Sequence, residues 1–330
     1  MIKIDIKDRR ILYELDLNCR QSNNQIGKKV GLGRDVVAYR IDRLIKQGII
    51  KNFYSIIDTF RLGYNVFRLY INFHYVTPEI KKEIIDYFVD YNYSWVVVTV
   101  KSEIDLDVVV WVKNFYEFYQ FWDKTLDKYE KYIEKHAISI YIKSSVFMKS
   151  FLLPDEAKGD KRASFDMHCG VKPVEIDEID YLLLNEIAEN ARIPLVDMAD
   201  ILGCSSQKVN YRINNLVELG VIKAFRVNIS LAKLNLQKYK VDIYLKNHEL
   251  KKPVYEYLAE KEYVEFMNFA IGWADLEPEF VVKDFNELLQ ILEEINQKFS
   301  GAIKKQTFFI AETLFKQRCL PEIYKIEKNK

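Results

Sequence analysis

Apolar residues between positions 31 and 53 recur at the spacing of one helical face. Val37, Ile41 and Leu44 lie four and three residues apart, which places them on the same side of a helix. Gly31 and Gly33 predict a tight turn before this helix, and Gly48 stands where it should end. With a short helix over 25–30, the pattern predicts a helix-turn-helix followed by a wing strand at 51–57.

The chain contains this pattern twice. When the sequence is shifted by 172 positions, residues 8–53 align without a gap on residues 180–225, and fifteen of the 46 aligned positions are identical. Repeats in solenoid proteins have periods of roughly 20–50 residues, so a period this long indicates a duplicated domain pair. We refer to the two repeats as copy one and copy two.

Each copy divides into two domains by its hydrophobic pattern. After the winged helix-turn-helix (1–57), residues 62–154 predict the order β-α-β-β-α-β, which is the ferredoxin-like unit. Copy two repeats the arrangement, with a second winged helix-turn-helix at 174–229 and a second ferredoxin-like domain at 234–322. Residues 155–173 lack apolar periodicity and are interpreted as the linker. The predicted fold class is therefore α+β.

Composition excludes several classes of protein. No apolar run approaches the ~20 residues of a membrane helix, and the start lacks the apolar core of a signal peptide, so we expect a cytoplasmic protein. The four cysteines form no Cys-x-x-Cys pair, and the four histidines lie far apart. From the sequence we therefore predict no metal, no cofactor and no catalytic residues.

Charge separates the two copies although the whole chain carries a net charge of only +1. Residues 1–55 hold twelve Lys and Arg against six Asp and Glu, whereas residues 172–227 hold six against nine. Because DNA affinity grows with the number of phosphates neutralised, the first helix-turn-helix suits DNA and the second does not. Seven positions are basic only in copy one: Arg9, Arg10, Lys28, Lys29, Arg34, Arg43 and Lys46.

The repeated motifs resemble the Lrp/AsnC (feast/famine) family of transcription regulators. The resemblance rests on Asp5-x-x-Asp8-x-x-Ile11-Leu12, on Val37-x-x-Arg40-Ile41-x-Arg43-Leu44 and on Gly48-Ile49-Ile50, with echoes such as Val209-x-x-Arg212-Ile213. The family implies DNA binding through the helix-turn-helix, dimerisation through the sheet domain and often a small effector such as an amino acid. The tandem arrangement departs from the usual single copy. The dimer can therefore form inside one chain or between two chains.

The predicted DNA contacts lie on the outward side of the recognition helix, which follows the Gly31–Gly33 turn, and at the end of the short helix before that turn. Arg34 opens the recognition helix, where side chains reach base edges, and Arg43 and Lys46 are better placed for phosphates. The predicted DNA-binding residues are Lys28, Lys29, Arg34, Asp35, Ala38, Tyr39, Arg43 and Lys46. Arg40 is interpreted instead as a structural ion pair, since Arg212 persists in the acidic copy. Lys208 and Arg226 of copy two are expected to matter much less for DNA.

An effector site is implied by the resemblance, because the family has a Gly-x-x-Asp turn near its effector. Copy two has this turn as Gly272-Trp273-Ala274-Asp275, while copy one keeps only Asp105. The predicted effector residues are Gly272, Asp275 and Asp105, and an ordinary β-turn explains the same pattern equally well. Trp273 then lines a pocket or belongs to the core.

Two other functions compete with a regulator. A siroheme decarboxylase group shares this two-domain build and occurs as fused pairs, but its His- and Arg-rich stretch has no counterpart in Ser94–Lys101. On that ground the chain is predicted not to be an enzyme. An architectural or protein-binding module without site-specific DNA contacts is the remaining alternative. The second helix-turn-helix is interpreted as a degenerate copy that serves as a packing or partner surface, although its outward Gln207, Asn210 and Asn214 leave base contacts open.

Overall fold

The computed structural model describes residues 4–156 and 162–322, and it has the predicted α+β fold in two copies. The elements of copy one are α1 (Ile6–Leu17), α2 (Asn23–Val30), α3 (Arg34–Lys46), β1 (Ile50–Ile57), β2 (Asn65–Phe73), α4 (Pro78–Asp90), β3 (Ser94–Lys101), β4 (Leu106–Val112), α5 (Phe115–Tyr129) and β5 (Ile133–Phe147). A strand between the copies, β6 (Ser164–His168), precedes copy two.

Copy two repeats the order of copy one. Its elements are α6 (Glu178–Glu189), α7 (Leu195–Leu202), α8 (Ser206–Glu218), β7 (Ile222–Ile229), β8 (Gln237–Leu245), α9 (Lys251–Ala259), β9 (Val264–Ile271), β10 (Glu277–Val282), α10 (Phe285–Lys298) and β11 (Ile303–Gln317). None of the helices in the described ranges is both long and apolar enough to cross a membrane.

Local capping explains why the first helix-turn-helix forms where it does. Asp5 and Ser22 each begin a helix with a capping box, in which the side chain and the third helical residue satisfy each other's backbone N–H groups. Gly31 ends α2 with φ +66, a left-handed conformation that favours glycine. Gly33, in contrast, has an ordinary φ of −68, so only one of the two predicted turn glycines is needed for its backbone angles.

The predicted wing of copy one is a strand, but it does not stand free. β1 pairs antiparallel with β7 of copy two, with Phe53 opposite Val227. This two-stranded ribbon joins the two helix-turn-helix domains side by side within one chain. The backbone groups of β1 that face β7 are bonded to copy two, and we take the helices as the candidate DNA-contacting elements.

The two ferredoxin-like sheets also join inside the chain. Copy one has the strand order β5-β2-β4-β3 and copy two the order β11-β8-β10-β9. β3 pairs with β11 and β9 pairs with β5, so both pairs of edge strands meet and the eight strands close on themselves. Such closure removes exposed sheet edges. Of the two dimers that the sequence left open, the structure therefore contains the intramolecular one.

Part of the predicted linker has regular structure. Within 155–173, β6 pairs with the C-terminal half of β5 and adds a ninth strand to the sheet. Arg162 is buried and donates hydrogen bonds to Ser150 Oγ and to the carbonyl of Ala259. The lack of apolar periodicity gave no sign of this strand, because only Met167 of its five residues is buried. The remaining linker residues 157–161 lie outside the described ranges.

All four cysteines are free thiols. Burial raises the pKa of the Cys19 thiol to about 12, and burial likewise raises the pKa of Cys319 to about 12. Both thiols are therefore protonated near neutral pH and act as small apolar side chains.

Candidate DNA interface

The basic residues predicted on the first helix-turn-helix lie at its surface. Lys28 and Lys29 end α2, Arg34 begins α3 and Lys46 ends α3, and all four are exposed. We call these four residues the basic face. Within residues 4–156 and 162–322, no ion pair engages Lys28, Arg34 or Lys46, whereas Lys29 bonds Glu14 at 2.7 Å. Three of the four charges are thus free to meet an anion.

The other predicted contacts are less uniform. Tyr39 is 67% exposed and Asp35 is exposed, while Ala38 is half-buried. Arg43 donates from Nη2 to both carboxylate oxygens of Asp8 at 2.6 Å, and its side chain is only one-third exposed. Arg43 therefore has a structural bond that the sequence did not predict, and any phosphate would share it with Asp8.

Arg40 forms the structural ion pair that the sequence predicted. It bonds Asp5 at 2.8 Å and the buried Asp8 at 2.7 Å, and the hydrogen bond to Asp5 raises the pKa of Arg40. Copy two repeats the pair, since Arg212 bonds Asp177 at 2.8 Å and Asp180 at 2.7 Å. This bridge fixes the first and third helices of each helix-turn-helix against each other in both copies.

The corresponding surface of copy two has opposite character. Asp200, Ile201, Ser206 and Glu218 occupy the positions of Lys28, Lys29, Arg34 and Lys46. Asp200, Ile201 and Glu218 are exposed, and Ser206 is half-buried. The polar residues Gln207, Asn210 and Asn214 are exposed on α8, as predicted. The same fold thus presents a basic surface in copy one and an acidic, partly apolar one in copy two.

Arg226, which the sequence predicts to matter little for DNA, is not a surface charge. It is fully buried and bonds Asp16 of copy one with Nε at 2.8 Å and Nη2 at 2.6 Å. Lys149 adds a third bond, from Nζ to Asp16 at 2.8 Å. Replacing Arg226 would leave Asp16 with one partner fewer in the core, so Arg226 cannot serve as a neutral control for DNA binding.

This buried cluster extends from the helix-turn-helix into the sheets. Lys149 also bonds Glu265 at 3.2 Å, and Glu265 bonds Lys238 at 2.5 Å. Burial acts to raise the pKa of Asp16, but Arg226 and Lys149 outweigh it and hold that pKa below its usual range. In the same way the neighbouring cations hold the pKa of Glu265 far below its usual value. Both carboxylates are therefore ionised at neutral pH.

The charged residues of this cluster are not repeated at the corresponding positions of the respective other copy. The corresponding positions of the respective other copy hold Ala188 for Asp16, Tyr54 for Arg226, Trp95 for Glu265 and Val66 for Lys238, and Tyr54 is the direct cross-strand partner of Arg226. Tyr54, Val66 and Trp95 pack there in an apolar and aromatic cluster. The two copies are therefore complementary rather than equivalent.

The residues of the predicted effector turn hold the sheets together. Asp275 accepts a hydrogen bond from the backbone N–H of Leu245 at 2.8 Å, and Asp105 accepts the same bond from Phe73 at 2.8 Å. Gly272 has φ +97 and lies so close to the carbonyl of Ile138 that a Cβ would collide with it. Asp105, Asp275 and Gly272 therefore each have a structural contact of their own.

A cluster of charged residues between the two sheets was missed by sequence reasoning. Arg68 bonds Asp107 at 2.7 Å, and at the corresponding positions of copy two Lys240 bonds Glu277 at 2.9 Å. All four residues are buried. A signal was available, since a basic residue recurs at 68 and 240 and an acidic residue at 107 and 277, which are matching positions of the two copies.

Trp273 closes this cluster. Its ring stacks on Tyr70 with centroids 4.3 Å apart, and its Nε1 donates to the buried Asp242 at 2.6 Å. Tyr70 donates to Glu277 across the copies at 3.2 Å. Of the two roles proposed for Trp273, the structure shows the core role. Among the described residues no group of three or more His, Cys, Asp or Glu side chains is arranged to hold a metal ion.

Sequence comparison agrees with this geometry. A profile of winged helix-turn-helix DNA-binding domains matches residues 4–51 and 176–223, one in each copy. The HTH-type transcriptional regulator Rv2324 of Mycobacterium tuberculosis is 40% identical over 65 residues, which cover 20% of this chain and 44% of that protein. The HTH-type transcriptional regulator LrpA of Pyrococcus abyssi is 28% identical over 139 residues, which cover 42% of this chain and 99% of that protein.

The fold and the matches first define a class, a tandem winged-helix protein with ferredoxin-like domains. More specifically, the chain is similar to regulators of the Lrp/AsnC type, and it holds the unit of those regulators twice. Each single-copy relative such as LrpA corresponds to less than half of this chain.

Structural comparison corrects one prediction. The siroheme decarboxylase NirDL in complex with an iron-uroporphyrin III analogue has a TM-score of 0.65 and 12% identity, and the match covers 98% of both chains. The prediction that the chain is not an enzyme is therefore wrong as an exclusion, because an enzyme has this same tandem architecture. The absence of a His- and Arg-rich stretch in β3 is too local a signal to separate a regulator from an enzyme of this architecture. At 12% identity the likeness shows the fold alone.

Proposed function

We propose that this protein is a transcription regulator that binds double-stranded DNA through the basic face of copy one. The single observation that carries the proposal is the contrast between the copies. At corresponding surface positions of the same fold, copy one places Lys28, Lys29, Arg34 and Lys46 where copy two has Asp200, Ile201, Ser206 and Glu218. Residues shared by the two copies maintain the fold, so we take the surface residues that differ between the copies as an indication of what each copy binds.

The proposed contacts divide by their place on the helices. Arg34 and Tyr39, at the start and middle of α3, would meet base edges in the major groove. Lys28, Lys29 and Lys46 would meet phosphates, which set register and affinity but not sequence. Asp35 and Ala38 lie on the same helix, and Asp35 would accept from a base amino group.

One chain would engage one half-site. The ferredoxin-like domains pair within the chain, and the second helix-turn-helix carries repelling charge. A single-copy regulator dimer presents two equal recognition helices and suits palindromes. This chain would instead recognise a short site without two-fold symmetry.

Sensing of an amino acid at Gly272, Asp275 and Asp105 stays a prediction. Both carboxylates already accept a backbone N–H, so a ligand amine would have to compete with those bonds. The proposal for DNA binding does not depend on it.

The test is selection of bound fragments from a random duplex pool with the purified chain, followed by titration at several salt concentrations. We expect a short non-palindromic site and a slope of log affinity against log salt of about −3 to −4, since three or four phosphates would be neutralised. A footprint that spreads without sequence preference would favour an architectural module, and no salt-dependent binding would overturn the proposal.

A second candidate function is action on a tetrapyrrole of the siroheme type. The observation that favours it is the match of the whole tandem chain to NirDL, which the single-copy regulators do not share. Titration with an iron-uroporphyrin III analogue, followed by the Soret absorption band, tests it. A saturable shift with one ligand per chain would support the candidate, and an unchanged band at about 100 µM protein would remove it.

A further inference from the structure

The second helix-turn-helix carries a surface unlike that of an ordinary solvated domain. On one side of α7, Val196 and Ile201 are 63% and 52% exposed, and Asp197 and Asp200 are exposed between them. We call these four residues the acidic face. In copy one the corresponding positions hold Asn24, Gln25, Lys28 and Lys29, all polar or basic. Exposed apolar side chains grouped with charge of one sign are typical of a protein-docking surface.

The charge of the acidic face indicates what kind of partner it binds. DNA is excluded by the two carboxylates, because phosphates would meet like charge. A complementary surface needs exposed cations beside apolar or aromatic groups. Copy one presents these on its own helix-turn-helix: Lys28, Arg34 and Lys46 stand without ion pairs in the described ranges, and Tyr39 is 67% exposed beside them.

The arrangement of the domains allows the contact to be made twice. The β1–β7 ribbon holds the two helix-turn-helix domains side by side in each chain. When two chains face each other about a two-fold axis, each basic face lies opposite the partner's acidic face. Such an isologous pair closes and does not grow into a filament.

We propose that the acidic face of copy two binds the basic face of a second copy of this chain, in a dimer that hides the DNA-binding surface. DNA and the second chain then compete for Lys28, Arg34 and Lys46. The inference shares the basic face with the proposed function, but it requires no DNA. Because helix surfaces are convex, the buried area is small, and we expect a dissociation constant of about 10–100 µM.

Sedimentation of the full chain between about 5 and 200 µM tests the proposal. We expect a monomer–dimer equilibrium at 50 mM salt that weakens at least about tenfold at 300 mM, because exposed charges are screened. The variant Asp200→Lys/Ile201→Lys places the copy-one residues on the acidic face and should abolish the dimer. The control Lys82→Ala/Lys252→Ala changes exposed lysines of α4 and α9 and should leave it intact.

Adding a DNA duplex that the chain selected in the binding test should convert the dimer to a complex of one chain with one duplex. A monomer at every concentration, or a dimer unchanged by Asp200→Lys/Ile201→Lys, would overturn the inference. The two proposals fail separately. A salt-sensitive dimer that ignores DNA removes the proposed function and keeps this one, whereas tight DNA binding by a strict monomer does the reverse. Circular dichroism of the variant distinguishes loss of the contact from loss of the fold.

Discussion

Replacing Asp16 by Ala is expected to lower the free energy of unfolding by about 3–5 kcal/mol, because it leaves two buried cations without their shared partner. Asp16 is fully buried and accepts from Arg226 and Lys149, which come from different parts of the chain. The substitution places at 16 the residue that copy two has at 188. Chemical unfolding followed by circular dichroism gives the change.

Two comparisons separate this charge effect from simple loss of contacts. Asp86→Ala removes an exposed helical ion pair with Lys82 and should cost no more than about 0.5 kcal/mol. Asp16→Ala/Arg226→Met removes one stranded cation and should regain part of the loss. An Asp16→Ala chain within 1 kcal/mol of the wild type would contradict the prediction.

The effect should also depend on pH. The folded-state pKa of Asp16 lies below its unfolded value of about 3.9, so its stabilisation is fully present above pH ~5 and is lost as pH falls through the folded pKa. The gap between wild type and Asp16→Ala should therefore narrow toward acid pH. Glu265 has a lowered pKa as well, so the wild type itself should lose stability in the same range.

Most of the fold was predictable because the chain repeats itself. A pattern such as that of Val37, Ile41 and Leu44 is ambiguous when it occurs once, but its recurrence at 209, 213 and 216 removes the ambiguity. The predicted order β-α-β-β-α-β is the observed order of β2, α4, β3, β4, α5 and β5. What the repeat cannot show is pairing between copies. Nothing in β1 or β3 taken alone says that their partners are β7 and β11.

For the candidate site, the sequence did not show all of the charged residues that pair with partners inside the protein. Arg226 and Arg43 read as surface cations because these residue types are mostly exposed. The burial of Arg226 and the partial burial of Arg43 depend on Asp16 and Asp8, which lie 210 and 35 residues away along the chain. Comparison of the copies held the missing signal. Arg226 corresponds to Tyr54 and Asp16 corresponds to Ala188, so a charged pair stands at positions where the other copy has an aromatic and an apolar residue.

The same comparison explains why a tandem chain differs from a symmetric dimer. In a dimer of identical chains, each position must serve both sides of the axis. Here Asp16, Arg226 and Glu265 are charged, whereas the corresponding residues of the respective other copy, Ala188, Tyr54 and Trp95, are not. Because the two helix-turn-helix domains have separate sequences, their surfaces can differ, and one is basic while the other is acidic.

Replacing Lys28, Arg34 and Lys46 together by Ala is expected to weaken DNA binding at least about 100-fold and to reduce the salt slope by about 2, since Lys28 and Lys46 are the phosphate contacts removed. These residues are exposed and, in the described ranges, without ion pairs, so their loss should leave the fold intact. Arg43 is left out of the set, although it was predicted with them. Its removal would also strand Asp8, and a loss of binding would then have two causes.

The matched control removes the same three charges elsewhere. Lys82, Lys208 and Lys252 are exposed on α4, α8 and α9, and their replacement by Ala lowers the net charge equally. If DNA binding depends on the basic face, this control should keep affinity within about threefold, since distant surface charges are screened. Equal losses in both triple variants, measured by gel shift at fixed salt, would mean that net charge and not the first helix-turn-helix governs binding. A loss confined to the first variant, with its salt slope reduced, would place the phosphates on α2 and α3 of copy one.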